Sequence, residues 1–361
     1  MKKSLAAILA FLLALARVPV VAEAPAISCK VAEINEYGHA RLDITKEEFD
    51  KAGFALGDIV TVTAGSYTGD MPCFNGYYVD REAPMVHVNP YLGSITLCVN
   101  YGSFVDLSGV GEGDAVTIAM KEEGGALDIQ EVNNLVYSDE RADFASDEVY
   151  TNFRAVAEGR LYRSVSPVDN KIKRARYADN LIRQAGVQTV MNMVNTDGEI
   201  AQLMAEEGYD SPYYRELYEA GKVIALGMSY DFTAKEYVEA LVKGFTFLSE
   251  GETPYLVHCL EGKDRTGFAI MVLEALMGWS EDQIVADYME TYINFYGIEP
   301  GTDKYNLLVK KNIGEMLLYM DELDTGTSAP ETDLKTAAET LLLENGMAEA
   351  ALKRIEAKLT E

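Results

Sequence analysis

One stretch constrains the chain more than any other: Tyr255-Leu256-Val257-His258-Cys259-Leu260-Glu261-Gly262-Lys263-Asp264-Arg265-Thr266-Gly267, followed at once by the apolar run 268–273. Pro254 closes the preceding segment, and Tyr-Leu-Val is short, apolar and partly β-branched, the pattern of a buried parallel strand. The loop then leads directly into a helix start. A strand that feeds a helix N-terminus through a Gly-containing loop gathers several backbone N–H groups into one concavity able to hold an anion. A phosphate fits such a nest.

Within the loop sit a nucleophile type and a cation type. Thiolate is the reactive form of a cysteine, and a helix N-terminus or a neighbouring cation favours it; Cys259 stands beside both. Arg265 carries a planar fork that grips two equatorial oxygens of a phosphoryl group and takes up charge as it develops. The Thr266 hydroxyl can donate to the sulfur as it leaves. A bare Cys-x5-Arg is a weak signal, whereas His-Cys-x-x-Gly-Lys-Asp-Arg-Thr-Gly between a strand and a helix is a specific one.

That extended pattern resembles the phosphate-binding loop of the cysteine-dependent protein tyrosine phosphatases, most nearly the bacterial tyrosine/serine phosphatases whose loop carries Lys-Asp before the Arg. The resemblance implies a phosphocysteine mechanism with Cys259 attacking and Arg265 clamping. Thr266 and His258 would support them, and Leu260, Glu261, Gly262, Lys263, Asp264 and Gly267 would bind substrate. It extends over 150–361: Phe153–Ser164 resembles the opening strand region of the family, and Asp287–Asn294 a later helix.

The rest of the chain organises itself around this. Met1-Lys2-Lys3 followed by twelve apolar residues reads as a secretory signal peptide over 1–24, too short to span a bilayer. A retained anchor is the alternative. Export places the protein outside the cell or in the envelope. Residues 29–137 carry β-like segments punctuated by Gly, Asn and Asp, at 29–34, 58–63, 94–99 and 115–120, and describe a small β-barrel or sandwich. Thr45-Lys46-Glu47-Glu48 is a capping box for one short helix there. Gly57-Asp58 and Gly113-Asp114 each precede a β-branched run and hint at a repeated unit. Cys29, Cys73 and Cys98 all fall in this half; either Cys73 pairs with Cys98 or all three stay reduced.

An acidic linker, 138–149, leads into the catalytic domain. From about residue 150, strands at 187–193 and 223–228 alternate with helices such as 174–185, so the fold class is α/β: a tyrosine-phosphatase-like, mostly parallel sheet flanked by helices. Sites of such sheets lie at the carboxyl ends of the strands, where Cys259 falls.

A phosphate ester also needs an acid for its leaving oxygen. Asp231, on a loop between a strand and an apparent capping box at 233–236, stands where the family carries its mobile acid-bearing loop. Asp264, inside the nest, is the competitor. With 31 basic and 58 acidic residues the chain carries a formal charge of -27, which repels nucleic acid and anionic membranes. No metal or cofactor is implied. The expected substrates are phosphotyrosine proteins or, as a second class, phosphoinositides and inositol polyphosphates; a phosphoinositide would be the one route to membrane contact. Lys171, Lys173, Arg174 and Arg176 form a basic cluster able to receive a multiply phosphorylated substrate. A phosphate-binding module with little turnover and a rhodanese-like sulfur carrier are the readings from other classes.

Overall fold

The computed structural model describes residues 24–323 and 333–360. The leader expected over 1–24 lies outside them but for Ala24. The chain divides into two compact units between Gln130 and Glu131.

In the first unit seven strands run in chain order: β1 (Ala26–Ile34), β2 (Ala40–Thr45), β3 (Ile59–Ala64), β4 (Tyr67–Phe74), β5 (Pro84–Asn89), β6 (Ser94–Val99) and β7 (Ala115–Glu122). They close into a barrel in the order β1-β2-β6-β5-β4-β3-β7, with β7 pairing back onto β1. All pairings are antiparallel except β4 with β5. Alternation drives the closure: along β3, Val60, Val62 and Ala64 are buried while Thr63 faces out, the period of two that sends one face of each strand inward. The Thr45–Glu48 capping box forms as expected.

Gly57 and Gly113 both adopt positive φ, +89° and +88°. In each case the following Asp turns back on the N–H three residues earlier: Ala55 donates to Asp58 at 2.7 Å and Gly111 to Asp114 at 2.8 Å. The two Gly-Asp pairs thus build the same turn ahead of β3 and β7. No disulfide joins Cys73 to Cys98; all four cysteines are free and buried. Cys73 is level with Val86 on β5, and Cys98 is level with its neighbour Met85. That one-residue offset sends the two thiols to opposite faces of the sheet. Burial pushes Cys29 and Cys98 up to about 12 and raises Cys73 as well.

The second unit is built on β8 (Arg154–Ala157), β9 (Leu161–Ser164), β10 (Thr189–Asn192), β11 (Val223–Ala225) and β12 (Tyr255–His258), in the order β11-β10-β12-β9-β8. Only β8 is antiparallel to its neighbour. Alternate residues of a strand serve opposite layers: Tyr255 and Val257 of β12 join the core under the helices 235–250 and 264–276, while Leu256 joins the one with Ile182, Tyr214 and Leu217. The helix Asp264–Leu276 is buried at every position from Arg265 onward, as its apolar composition predicts.

The acidic stretch 138–149 is a built part of this unit rather than a free linker. It holds a 3-10 turn (Arg141–Asp143) and the start of a helix (Asp147–Thr151) capped by Ser146. Arg174 fixes it. Fully buried, Arg174 donates to the Ser138 carbonyl at 2.8 Å and lies over the rings of Phe295 (4.3 Å), Tyr150 (4.5 Å) and Tyr137 (4.6 Å). Lys173 pairs with Asp139 at 3.0 Å and Arg176 donates to the Tyr177 hydroxyl at 2.6 Å. Of the basic cluster expected to receive phosphates, Arg174 is buried and committed to internal contacts, while Lys171, Lys173 and Arg176 stay exposed.

Candidate active site

β12 is the central strand, flanked by β10 and β9 with His258 level with Asn192 and Ser164. Cys259 is the first residue past its carboxyl end. The loop backbone is held on its outer side: Ser166 N–H donates to the Leu260 carbonyl at 3.0 Å, and Gly267 N–H donates to the Lys263 carbonyl at 2.6 Å. His258 Nδ1 lies 3.1 Å from the Cys259 carbonyl. Because C=O and N–H of a planar peptide point opposite ways, carbonyls turned into the protein leave the amides to face the concavity. Lys263 takes the N-cap position without a side-chain cap, so the positive end of the helix remains directed at the loop.

Two glycines make the loop possible. A Cβ at Gly262, where φ is +65°, would sit 2.3 Å from the Ser164 carbonyl oxygen; one at Gly267 would sit 2.4 Å from Tyr288 Cε2. Neither tolerates a side chain without displacement of its neighbour.

Tyr230, Cys259, Leu260, Glu261, Lys263, Asp264 and Arg265 line one cavity of about 220 Å³. Cys259 is 4% exposed and Arg265 6%. Arg265 donates from Nη1 to the Met228 carbonyl at 2.8 Å, and its guanidinium lies 4.2 Å from the ring centre of Tyr230. Thr266 is buried, and its hydroxyl has no hydrogen-bond partner among the described residues. Lys263 Nζ stands between Asp264 (3.6 Å) and Glu261 (3.7 Å), and Glu261 in turn accepts from the Tyr137 hydroxyl at 2.9 Å.

The two candidate acids are placed differently. Asp264 lines the cavity and is half-buried. Asp231 is exposed and does not line it. Its Oδ1 accepts from the Thr233 hydroxyl (2.7 Å) and N–H (3.0 Å), which hold the carboxyl below its ordinary range. The capping box expected at 233–236 does not form: Ala234 is the N-cap of helix Lys235–Glu250, and Thr233 is spent on Asp231. What the loop does bring is Tyr230, which lines the cavity, and the Met228 carbonyl, which holds Arg265. Neither is marked in the sequence, since a backbone oxygen has no residue code and Tyr230 lacks a motif.

His258 is fully buried, its Nε2 has no partner among the described residues, and its ring meets Tyr214 edge to face. Burial pushes it down to about 4, so it is a neutral support for the loop. In the unfolded chain it titrates near 6.5. The stability contributed by keeping it neutral is complete above that pH and is lost as pH falls toward 4, a drop of about 3 kcal/mol. Denaturant titrations at pH 7, 5.5 and 4 should show this slope in the wild-type protein and a flatter one in His258→Gln; parallel slopes would mean that His258 is not the titrating group.

Cys259 and Arg265 thus line one cavity at an uncapped helix start. The chain belongs to the tyrosine phosphatase family, whose model matches residues 147–360. It is similar to a Cupriavidus necator protein named, provisionally, as a tyrosine-protein phosphatase, with 44% identity over 61 residues, 17% of this chain and 22% of that one. The triple specificity protein phosphatase PtpB of Mycobacterium tuberculosis is 44% identical over 52 residues, 14% of this chain and 18% of that one. The chain thus matches about a fifth of the length of these curated relatives. Among solved structures, P. aeruginosa TpbA is similar at 20% identity and a TM-score of 0.29, covering 49% of this chain and 94% of that one.

Proposed function

We propose that this protein hydrolyses phosphate monoesters through a phosphocysteine intermediate, and that its substrates are phosphotyrosine-type aryl monophosphates. The observation that carries the reading is the single cavity shared by Cys259, Arg265 and Asp264 at the helix start. The Cys259 sulfur attacks phosphorus in line with the leaving oxygen, which takes a proton from Asp264 as the P–O bond breaks. Arg265 exchanges its contacts with Met228 and Tyr230 for two equatorial oxygens. Water then attacks the phosphocysteine, and Thr266 donates to the departing sulfur.

Charge supports the aryl monophosphate class over inositol polyphosphates. Of the two cations in the cavity walls, Lys263 and Arg265, Lys263 already pairs with Glu261 at 3.7 Å. A second cavity of about 470 Å³ holds Arg141, Lys173 and Arg176 but also Asp139, Glu140, Glu206, Glu207 and Asp210. Additional phosphates would meet like charge. Tyr230, 70% exposed at the cavity, supplies a flat apolar neighbour for an aromatic leaving group.

The test is turnover by the purified protein of a phosphotyrosine peptide, a phosphoinositide and phytate side by side. The peptide should be hydrolysed with kcat/KM at least about tenfold above the others, a margin worth about 1.4 kcal/mol. A preference for phytate or the phosphoinositide would overturn the substrate class, and no turnover of any of the three would overturn the phosphatase reading.

A further inference from the structure

Beneath the nest lies a buried polar assembly that the chemistry above does not use. Arg163, on β9, is fully buried and donates from Nη2 to the Gly262 carbonyl at 2.8 Å. Its Nη1 pairs with Asp287 Oδ2. Asp287 Oδ1 accepts from Arg154 Nε at 2.7 Å, and Arg154 Nη1 donates to Asn152 Oδ1 at 2.5 Å. Asn152 Nδ2, also fully buried, donates to the same Gly262 carbonyl at 3.2 Å. The five contacts close a ring: Gly262, Arg163, Asp287, Arg154, Asn152 and back to Gly262.

We infer that Arg163 and Asn152 are positioning residues that set the orientation of the Gly262–Lys263 peptide, and that this orientation aims the Lys263 N–H into the phosphate nest. Two donors converge on one carbonyl oxygen, filling both of its lone pairs. The planar peptide then directs the Lys263 N–H the opposite way. Gly262 is the residue about which such a peptide turns most readily, having no Cβ to resist it. A turned peptide would present a carbonyl oxygen to the bound anion and take one acceptor from each of Arg163 Nη2 and Asn152 Nδ2, the latter keeping Thr291 Oγ1 at 3.0 Å. The ring holds its own members too: burial works against the Asp287 carboxylate, but Arg163 and Arg154 outweigh it and hold it down to about 2.

Removing Arg163 or Asp287 would strand a buried charge and endanger folding, so the test acts on Asn152. Asn152 lies at φ +51°, a conformation that Asn and Asp both accept. Asn152→Asp keeps shape and the oxygen facing Arg154 but turns an acceptor toward the Gly262 carbonyl; Asn152→Ala deletes the donor without placing an acceptor there, and removes with it the Oδ1 that accepts from Arg154. The inference rests on the phosphatase reading, and the readout is therefore binding rather than turnover. Inorganic phosphate and vanadate should bind Asn152→Asp at least about tenfold more weakly than wild type and Asn152→Ala by a smaller factor, with far-UV circular dichroism unchanged. In 15N-lysine-labelled wild-type protein, phosphate should shift the Lys263 amide. Wild-type protein that binds phosphate with a silent Lys263 amide, or folded variants that bind it as tightly as wild type, would overturn this inference alone. Wild-type protein that binds neither anion would overturn the phosphatase reading with it.

Discussion

Cys259→Ser loses turnover of every phosphate ester while still binding phosphate or vanadate. A serine hydroxyl ionises far less readily than a thiol, so in the place of Cys259 it is a poor nucleophile. The expected fall in kcat is on the order of 10⁴ or more, the scale seen when an essential nucleophile is removed. The concavity survives because it consists of backbone N–H groups and Arg265, none of which the substitution touches. Vanadate binding by calorimetry together with turnover of an aryl phosphate checks both halves. Activity above a trace in the variant would place the nucleophile elsewhere.

Asp264→Asn separates substrates by their leaving groups. If Asp264 donates the proton, its loss slows esters of poor leaving groups by about 10² to 10⁴ and an activated aryl phosphate far less. Asp231→Asn affects both alike and only slightly, because Asp231 faces Thr233 and solvent. Comparing an alkyl or tyrosyl phosphate with p-nitrophenyl phosphate in each variant decides between them. Leaving-group dependence in Asp231→Asn instead would show that the loop swings Asp231 over the cavity during turnover and that Asp264 serves Lys263 and Arg265.

The nucleophile loop is legible in the sequence because its requirements are local. A strand end, a positive-φ glycine and a helix start within thirteen residues leave the chain few alternatives, and Thr45 likewise announces a capping box that forms. Thr233 shows the limit: the same Thr-x-x-Glu spelling precedes a helix, yet a nearer carboxylate, Asp231, captures the hydroxyl. Arg163 shows another. An arginine in the fully buried run Leu-Tyr-Arg-Ser demands a carboxylate, but Asp287 lies 124 positions away, and no local pattern names it. The barrel was open to a sandwich reading because β4 and β5 pair in parallel, a register set by closure rather than by any turn signal. Cys73 and Cys98 are close in sequence and in the sheet, and only the register on β5 reveals that their side chains point apart.

Barrel closure also restricts how residues 24–130 can be recognised. In an open sheet the outermost strand presents unpaired N–H and C=O groups, and a foreign segment can join it by strand addition. Here β7 returns to β1, so the ring has no outermost strand, and its one short seam is β4–β5, where Cys73 pairs with Val86 and Phe74 with His87. Away from that seam, a macromolecule that engages this unit reads side chains and connecting loops, such as the turn bearing Tyr91 and Leu92, 95% and 79% exposed. Its specificity is then free to change by loop substitution while the strands stay as they are.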